Sequence, residues 1–129
     1  MEQIEYLVDT NAVIDYLGKK LPTKGMLFMN DVIDTVPNIS VISKIEVLGF
    51  DAPKEHLPLL NGFMNDAIVF DLTNNIVERC IDIRKKYKSK LPDAIIAATA
   101  LECGYTLITR NTADFKNISK LKLCNPWKV

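Results

Sequence analysis

Ile4-Glu5-Tyr6-Leu7-Val8-Asp9-Thr10-Asn11-Ala12-Val13-Ile14 passes from a short, mostly apolar run to polar cap residues and then to a helical pattern. Ile4 to Val8 has the character of a strand buried on both faces. Asp9-Thr10-Asn11 then leads into a helix whose apolar residues are Val13, Ile14 and Leu17 and whose end is Gly18. The same alternation recurs along the chain. A helix is expected over about Lys24 to Thr35, with Met26, Leu27 and Met29 directed to the core. A β-branched strand follows from Asn38 to Ile42. Ser43 is expected to cap a short, mostly buried helix carrying Ile45, Glu46, Val47 and Leu48. A helix from about Pro53 to Asn65 precedes a third strand, Ala67 to Leu72. Thr73 to Lys88 follows as an amphipathic helix with Ile76, Val77, Cys80, Ile81 and Ile83 on its apolar side. Pro92 opens a helix that runs to Glu102 and stops at Gly104. Tyr105 to Thr109 is a fourth strand, and Leu121 to Cys124 a fifth.

Strands that alternate with helices imply βαβ units. The expected fold is therefore α/β: a single-domain three-layer α/β/α sandwich over residues 1–129, with a central, mainly parallel sheet of four to five strands. No repeat or Pro/Gly/Ser linker divides it. The chain has 129 residues, 48% hydrophobic and 25% charged, with 5 Gly and 6 Pro, which excludes disorder and low-complexity scaffolds. The longest apolar runs, such as Ala94 to Ala98, fall far short of the roughly 18 residues of a membrane helix. Met1-Glu2-Gln3-Ile4-Glu5 lacks the features of a signal peptide. Cys80, Cys103 and Cys124 show no paired spacing and suit small buried residues in a reducing compartment, so the cytoplasm is the expected location. Net charge is zero, yet residues 1–65 carry 5 basic and 9 acidic residues and residues 66–129 carry 11 and 7. A basic half is a weak pointer to an anionic partner.

In open α/β sheets the ligand crevice lies beyond the carboxyl ends of the strands. Asp9 follows the first strand directly. Glu46 lies one helical turn past Ser43, after the second strand. Asp114 falls in the short loop Arg110-Asn111-Thr112-Ala113-Asp114 after the fourth. Asp93 sits in the first turn of its helix, where the dipole favours its ionised form; topology suggests the same crevice. Each acid also has an ordinary use, as helix cap, dipole partner, turn residue or solvated helix position. Gathered together, however, like charges raise one another's pKa unless a cation neutralises them. An all-oxygen set without Cys or His suits Mg²⁺ or Mn²⁺, and such ions commonly take further ligands from phosphates. The implied chemistry is phosphoryl transfer or phosphodiester hydrolysis. No Walker motif is present, which excludes nucleotide hydrolysis of the P-loop kind.

Four segments carry a resemblance: Leu7-Val8-Asp9-Thr10-Asn11; Ile39-Ser40-Val41-Ile42-Ser43 with Glu46; Leu91-Pro92-Asp93 through Ala100; and Leu107-Ile108-Thr109-Arg110-Asn111 with Asp114-Phe115. Their order and spacing resemble the PIN-domain ribonucleases, most closely the VapC toxins of toxin–antitoxin pairs. The ending Leu121 to Trp127 is similar to that family's terminal strand. Residues 21–35 and 51–65 match no motif. The resemblance implies a metal-dependent endoribonuclease in which Asp9, Glu46, Asp93 and Asp114 bind Mg²⁺ or Mn²⁺ and a metal-activated water attacks the phosphodiester. Thr10, Asn11, Ser43, Thr109 and Asn111 would orient the carboxylates or a metal-bound water. It also implies an RNA substrate, a cognate antitoxin partner and a homodimer, with no membrane association.

Arg84-Lys85-Lys86-Tyr87-Lys88-Ser89-Lys90 precedes Asp93. These cations suit a helix C-terminus and equally a rim holding an RNA backbone. Lys86, Lys88, Lys90, Arg110 and Lys116 are the candidate RNA contacts, and Lys120 and Lys122 would extend the rim. His56 reads as a surface residue and Trp127 as the anchor of the C-terminal strand. Two other functions remain to be weighed. A non-cleaving PIN-like RNA-binding module would bind metal or RNA without cutting. A small phosphatase or phospho-acceptor would need an acid pair that Asp9-Thr10-Asn11 does not supply.

Overall fold

The computed structural model describes residues 3–129. Five short strands, β1 (Tyr6–Val8), β2 (Asn38–Ser40), β3 (Ile68–Phe70), β4 (Thr106–Ile108) and β5 (Leu123–Cys124), form one sheet in the order β3-β2-β1-β4-β5. Every neighbouring pair is parallel, with Leu7 opposite Asn38 on one side and Leu107 on the other. The expected three-layer α/β/α sandwich is thus present, and its sheet is parallel throughout. Seven α-helices connect and cover it: α1 (Thr10–Leu17), α2 (Thr23–Asp34), α3 (Val41–Leu48), α4 (Leu57–Asp66), α5 (Asn74–Lys86), α6 (Leu91–Cys103) and α7 (Thr112–Phe115). Among the described residues, no helix is long and apolar enough to cross a membrane.

The period-two alternation of the strands sorts the core into two halves. Leu7 and Leu107 face a cluster with Ile76, Cys80, Ile83, Ala97 and Phe115, under α5 and α6. Val8, Ile39 and Ile108 face the opposite cluster, with Val13, Met29, Val47, Phe63 and Met64 from α1, α2, α3 and α4. Successive residues point to opposite faces, so a fully buried parallel strand must be apolar at consecutive positions. Leu7-Val8 and Leu107-Ile108 meet that requirement at 0% exposure.

The chain order fixes where a crevice opens. From β1 it winds outward through β2 to β3, then crosses back to β4 on the other side of β1. The carboxyl ends of β1 and β4 therefore flank the switch point, where adjacent connections diverge.

Several sequence-based expectations are corrected. The strands are shorter than expected; β2 stops at Ser40 because its own chain turns into helix at Val41. Helix α3 begins at Val41, capped by Ser40, whose hydroxyl accepts from the Ile42 N–H at 3.2 Å. Ser43 is accordingly a buried residue inside α3 and not its cap. Glu46 is exposed, as is Ile45, since Ser43 and Val47 occupy the inward face. Pro53 starts a single 3-10 turn (Lys54–His56) before α4, and His56 is exposed. The segment after β4, expected as a loop, contains the one-turn helix α7 with Asp114 in its first turn. Of the α2 trio only Met29 is buried; Met26 is half-buried and Leu27 exposed. Ile81 turns outward from α5. Cys80 is buried while Cys103 and Cys124 are half-buried, and all three are free thiols.

Candidate active site

Asp9 is the first residue past β1, and its N–H still donates to the Ile108 carbonyl at 2.9 Å, as a continuation of the ladder. Its extended backbone also makes it the N-cap of α1. The residue is 4% exposed, and its carboxylate is held on both oxygens. Oδ1 accepts from the Thr10 N–H at 2.8 Å. Oδ2 accepts from Asn11 Nδ2 at 3.0 Å and from the Thr109 hydroxyl at 2.8 Å. Thr109 is fully buried at the end of β4, and its hydroxyl oxygen also accepts from Asn11 Nδ2 at 3.2 Å and the Asn111 N–H at 3.1 Å. Asn11 in turn takes the Arg110 N–H on Oδ1 at 2.9 Å. This chain of donors locks the Asp9 side chain between the ends of β1 and β4. The N-cap and the site reading of Asp9 thus coincide in one residue.

The Thr10 hydroxyl donates to Glu46 Oε1 at 2.7 Å and lies 3.0 Å from Ser43 Oγ, which ties the exposed Glu46 to the start of α1. Asp93, in the first turn of α6, is half-buried. Asp9, Glu46 and Asp93 line one crevice of about 340 Å³ together with Thr10, Asn11 and Asn111. Asp93 also lines an adjoining crevice of about 450 Å³ with Asp114 and with Lys86, Lys88 and Lys90. Asp93 is therefore shared between an acidic pocket and a mixed basic one. Among the described residues no three His, Cys, Asp or Glu side chains converge tightly enough to form a ready-made metal cage.

The electrostatics record how the carboxylates are gathered. Burial raises the Asp9 pKa, and the charges of Asp93 and Glu46 raise it further against the lowering effect of the Thr109 hydroxyl and the Thr10 N–H. Burial also raises Asp93, with Asp114 and Glu46 adding to the rise and Lys90 opposing it. Asp93 is thus raised by Asp114 and Glu46 and in turn raises Asp9, which links the four carboxylates. Such mutual repulsion between oxygen donors is what a hard divalent cation relieves.

Two of the candidate RNA contacts lie apart from the lysine-lined crevice, and one residue was not foreseen. Lys116 is exposed at the end of α7 and lines neither crevice. Arg110 lines the acidic crevice, but its guanidinium is also paired with Asp15 at 3.2 Å. Asp15, on α1, is buried, and its Oδ2 accepts from the Trp127 indole N–H at 2.9 Å. Trp127 does anchor the C-terminal segment, through this bond to α1. The only hint of Asp15 in the sequence is its position one helical turn after Ala12, on the inward face of α1.

The PIN domain family matches residues 6–121, and the chain belongs to this family of nucleases. Among solved structures it is similar to a toxin–antitoxin complex from Klebsiella pneumoniae. There the identity is 32% over 97% of this chain and 100% of that one, with a TM-score of 0.74. A DNA-bound VapBC from Salmonella typhimurium shares the fold at TM-score 0.82 and 21% identity, covering 96% of this chain and 99% of that one. VapBC-1 from nontypeable Haemophilus influenzae does so at 0.76 and 22%, covering 98% and 100%. A comparison with curated protein sequences gave no match.

Proposed function

We propose that this chain is an endoribonuclease that hydrolyses RNA phosphodiester bonds with Mg²⁺ or Mn²⁺, and that it acts as the toxin of a type II toxin–antitoxin pair. The observation that carries the reading is the set of carboxylates around Asp93, with Asp9 buried and fixed by three donors at the topological switch point. The toxin role is supported by the 32% identity to a chain of the Klebsiella pneumoniae toxin–antitoxin complex over nearly the full length. A cognate antitoxin, a homodimeric state and a cytoplasmic location belong to the same reading.

Asp9 and Asp93 are the residues proposed to hold the metal, with Glu46 and Asp114 completing the set. Mg²⁺ is ordinarily bound through one or two carboxylates and retains several waters, which an open crevice of about 340 Å³ allows. A divalent ion so held supplies an acidified water and charge stabilisation of the leaving oxygen. The protein's own residues do the rest. Thr109 and Asn11 keep Asp9 in one rotamer, Thr10, with Ser43 beside it, restrains Glu46, and Asn111 borders the crevice beside them. Lys86, Lys88 and Lys90 line the adjoining crevice, where they would hold the RNA backbone beside Asp93.

The test is cleavage of single-stranded RNA by purified wild type and Asp9→Asn, with and without EDTA, alongside induction of both in cells. Wild type should cut and arrest growth, EDTA should stop cutting, and folded Asp9→Asn should do neither. A folded Asp9→Asn that cuts as well as wild type overturns the assignment. Tight RNA binding by wild type without any cutting would establish the binding-module alternative.

A further inference from the structure

Asp15 has no part in the carboxylate set, yet its side chain is 3% exposed directly beside it. Two donors satisfy it: Trp127 Nε1 at 2.9 Å, and one terminal nitrogen of Arg110 at 3.2 Å from each carboxylate oxygen. Arg110 is held at its other end too, through its N–H to Asn11 Oδ1 at 2.9 Å. Its side chain nevertheless remains 49% exposed, and it lines the same crevice as Asp9, Glu46 and Asp93. Nε and the second terminal nitrogen make no hydrogen bond to protein among the described residues.

A buried carboxylate is costly, and a pair whose arginine is half in water returns little net stability. What the arrangement does achieve is a fixed orientation. Guanidinium is planar, permanently charged and forked, so immobilising one arm leaves the rest of the fork aimed in a defined direction. Here it faces a crevice walled by acids, where a cation serves no carboxylate except Asp15. The ligand matching a free guanidinium edge is an oxyanion bound through parallel N–H donors.

We propose that Arg110 binds a non-bridging oxygen of the scissile phosphodiester, and that Asp15, braced by Trp127, is the positioning residue that holds it there. The inference rests on the nuclease reading above. During phosphoryl transfer charge is spread over the non-bridging oxygens, and a preorganised donor acts on that charge more than on ground-state binding. The effect should therefore lie in kcat. Since Asp15 acts only through Arg110, its removal should matter only while Arg110 is present.

The experiment is a double-mutant cycle of Asp15→Asn and Arg110→Ala. For each protein it records kcat and KM on RNA, Kd for a fluorescent single-stranded RNA in EDTA, and Tm. Arg110→Ala should lower kcat about 100-fold, as loss of one preorganised donor does. Asp15→Asn should lower it about 10-fold, in the range of positioning partners. Kd should shift less than about twofold, because phosphates elsewhere supply most of the affinity. In the Arg110→Ala background Asp15→Asn should cost nothing further in kcat. Additive losses, or wild-type kcat in either single variant, overturn the proposal. If Asp15→Asn does not fold, Arg110→Lys decides: it keeps the charge and the ion pair but lacks the fork, so wild-type kcat would overturn the proposal and a loss at unchanged Kd would support it. A wild type that does not cut RNA removes the nuclease reading itself, before any variant is compared.

Discussion

Thr109 is the residue on which the order of the site depends most directly. One hydroxyl donates to Asp9 and accepts from Asn11 and from the Asn111 N–H, all within a fully buried position. Thr109→Val keeps the shape and deletes every one of these bonds. Removing a donor to a buried carboxylate costs about 1–3 kcal/mol, and misplacing a ligand's partner typically costs about 10–100-fold in activity. Thr109→Val should therefore lower both Tm and RNA cleavage, measured by thermal melts and initial rates. Asp93 has the opposite relation to stability. Its folded-state pKa is raised by burial and by Asp114 and Glu46, so the native state binds this proton more tightly than the unfolded chain. Its stability contribution is then present below the ordinary value of about 3.9 and is lost as pH rises through the raised folded value. In EDTA, Asp93→Asn should melt above wild type near neutral pH, and the gap should close as pH falls toward about 4. A gap that widens on acidification would contradict this sign.

At the scale of elements, α2 is positioned by a glycine whose need is steric. A Cβ on Gly25 would lie 2.1 Å from the Pro126 carbonyl oxygen, a backbone atom that cannot swing aside. Alanine ordinarily strengthens a helix by about 1 kcal/mol over glycine. Here Gly25→Ala should instead destabilise, by roughly the 1–3 kcal/mol of overpacking, and a chemical denaturation midpoint would show it. The same close approach delivers Pro126 and hence Trp127 to Asp15. These relations also mark the limit of what the sequence discloses. Helix and strand identity followed from local periodicity, and the acids fell at strand ends because apolar runs stop there. The start of α3 did not follow, because Ser40 and Ser43 are equally good caps in composition and only the end of the β2–β3 ladder selects Ser40. The exposure of Glu46 was missed for a related reason: with the helix phased from Val41, Ser43 and Val47 take the inward face. The Asp15–Arg110 and Asp15–Trp127 bonds join residues 95 and 112 positions apart, and no periodicity reports such a pairing.

Across the whole molecule, the zero net charge conceals a separation that the fold turns into geometry. The acidic N-terminal half supplies Asp9, Asp15 and Glu46 through β1, α1 and α3. The basic C-terminal half supplies Lys86, Lys88, Lys90 and Arg110 through the end of α5, the segment after it and the turn after β4. The parallel sheet brings both halves to the carboxyl edge of the strands, where Asp93 borders the acidic crevice on one side and the lysine-lined one on the other. If the lysines hold the RNA backbone, their effect must be long-range, salt-dependent and indifferent to base sequence. For single-stranded RNA, log K falls with log salt by about 0.7 per neutralised phosphate. Replacing Lys86, Lys88 and Lys90 by alanine together should thus reduce that slope by about 2 and weaken binding by a similar factor for unrelated RNA sequences. None of the three makes a hydrogen bond or ion pair to another side chain among the described residues; Lys86 alone rests over the Tyr87 ring at 5.6 Å. The triple variant should therefore retain its fold. An unchanged salt slope in a folded triple variant would leave Lys86 to the C-terminal dipole of α5 and deny all three lysines a role in holding RNA.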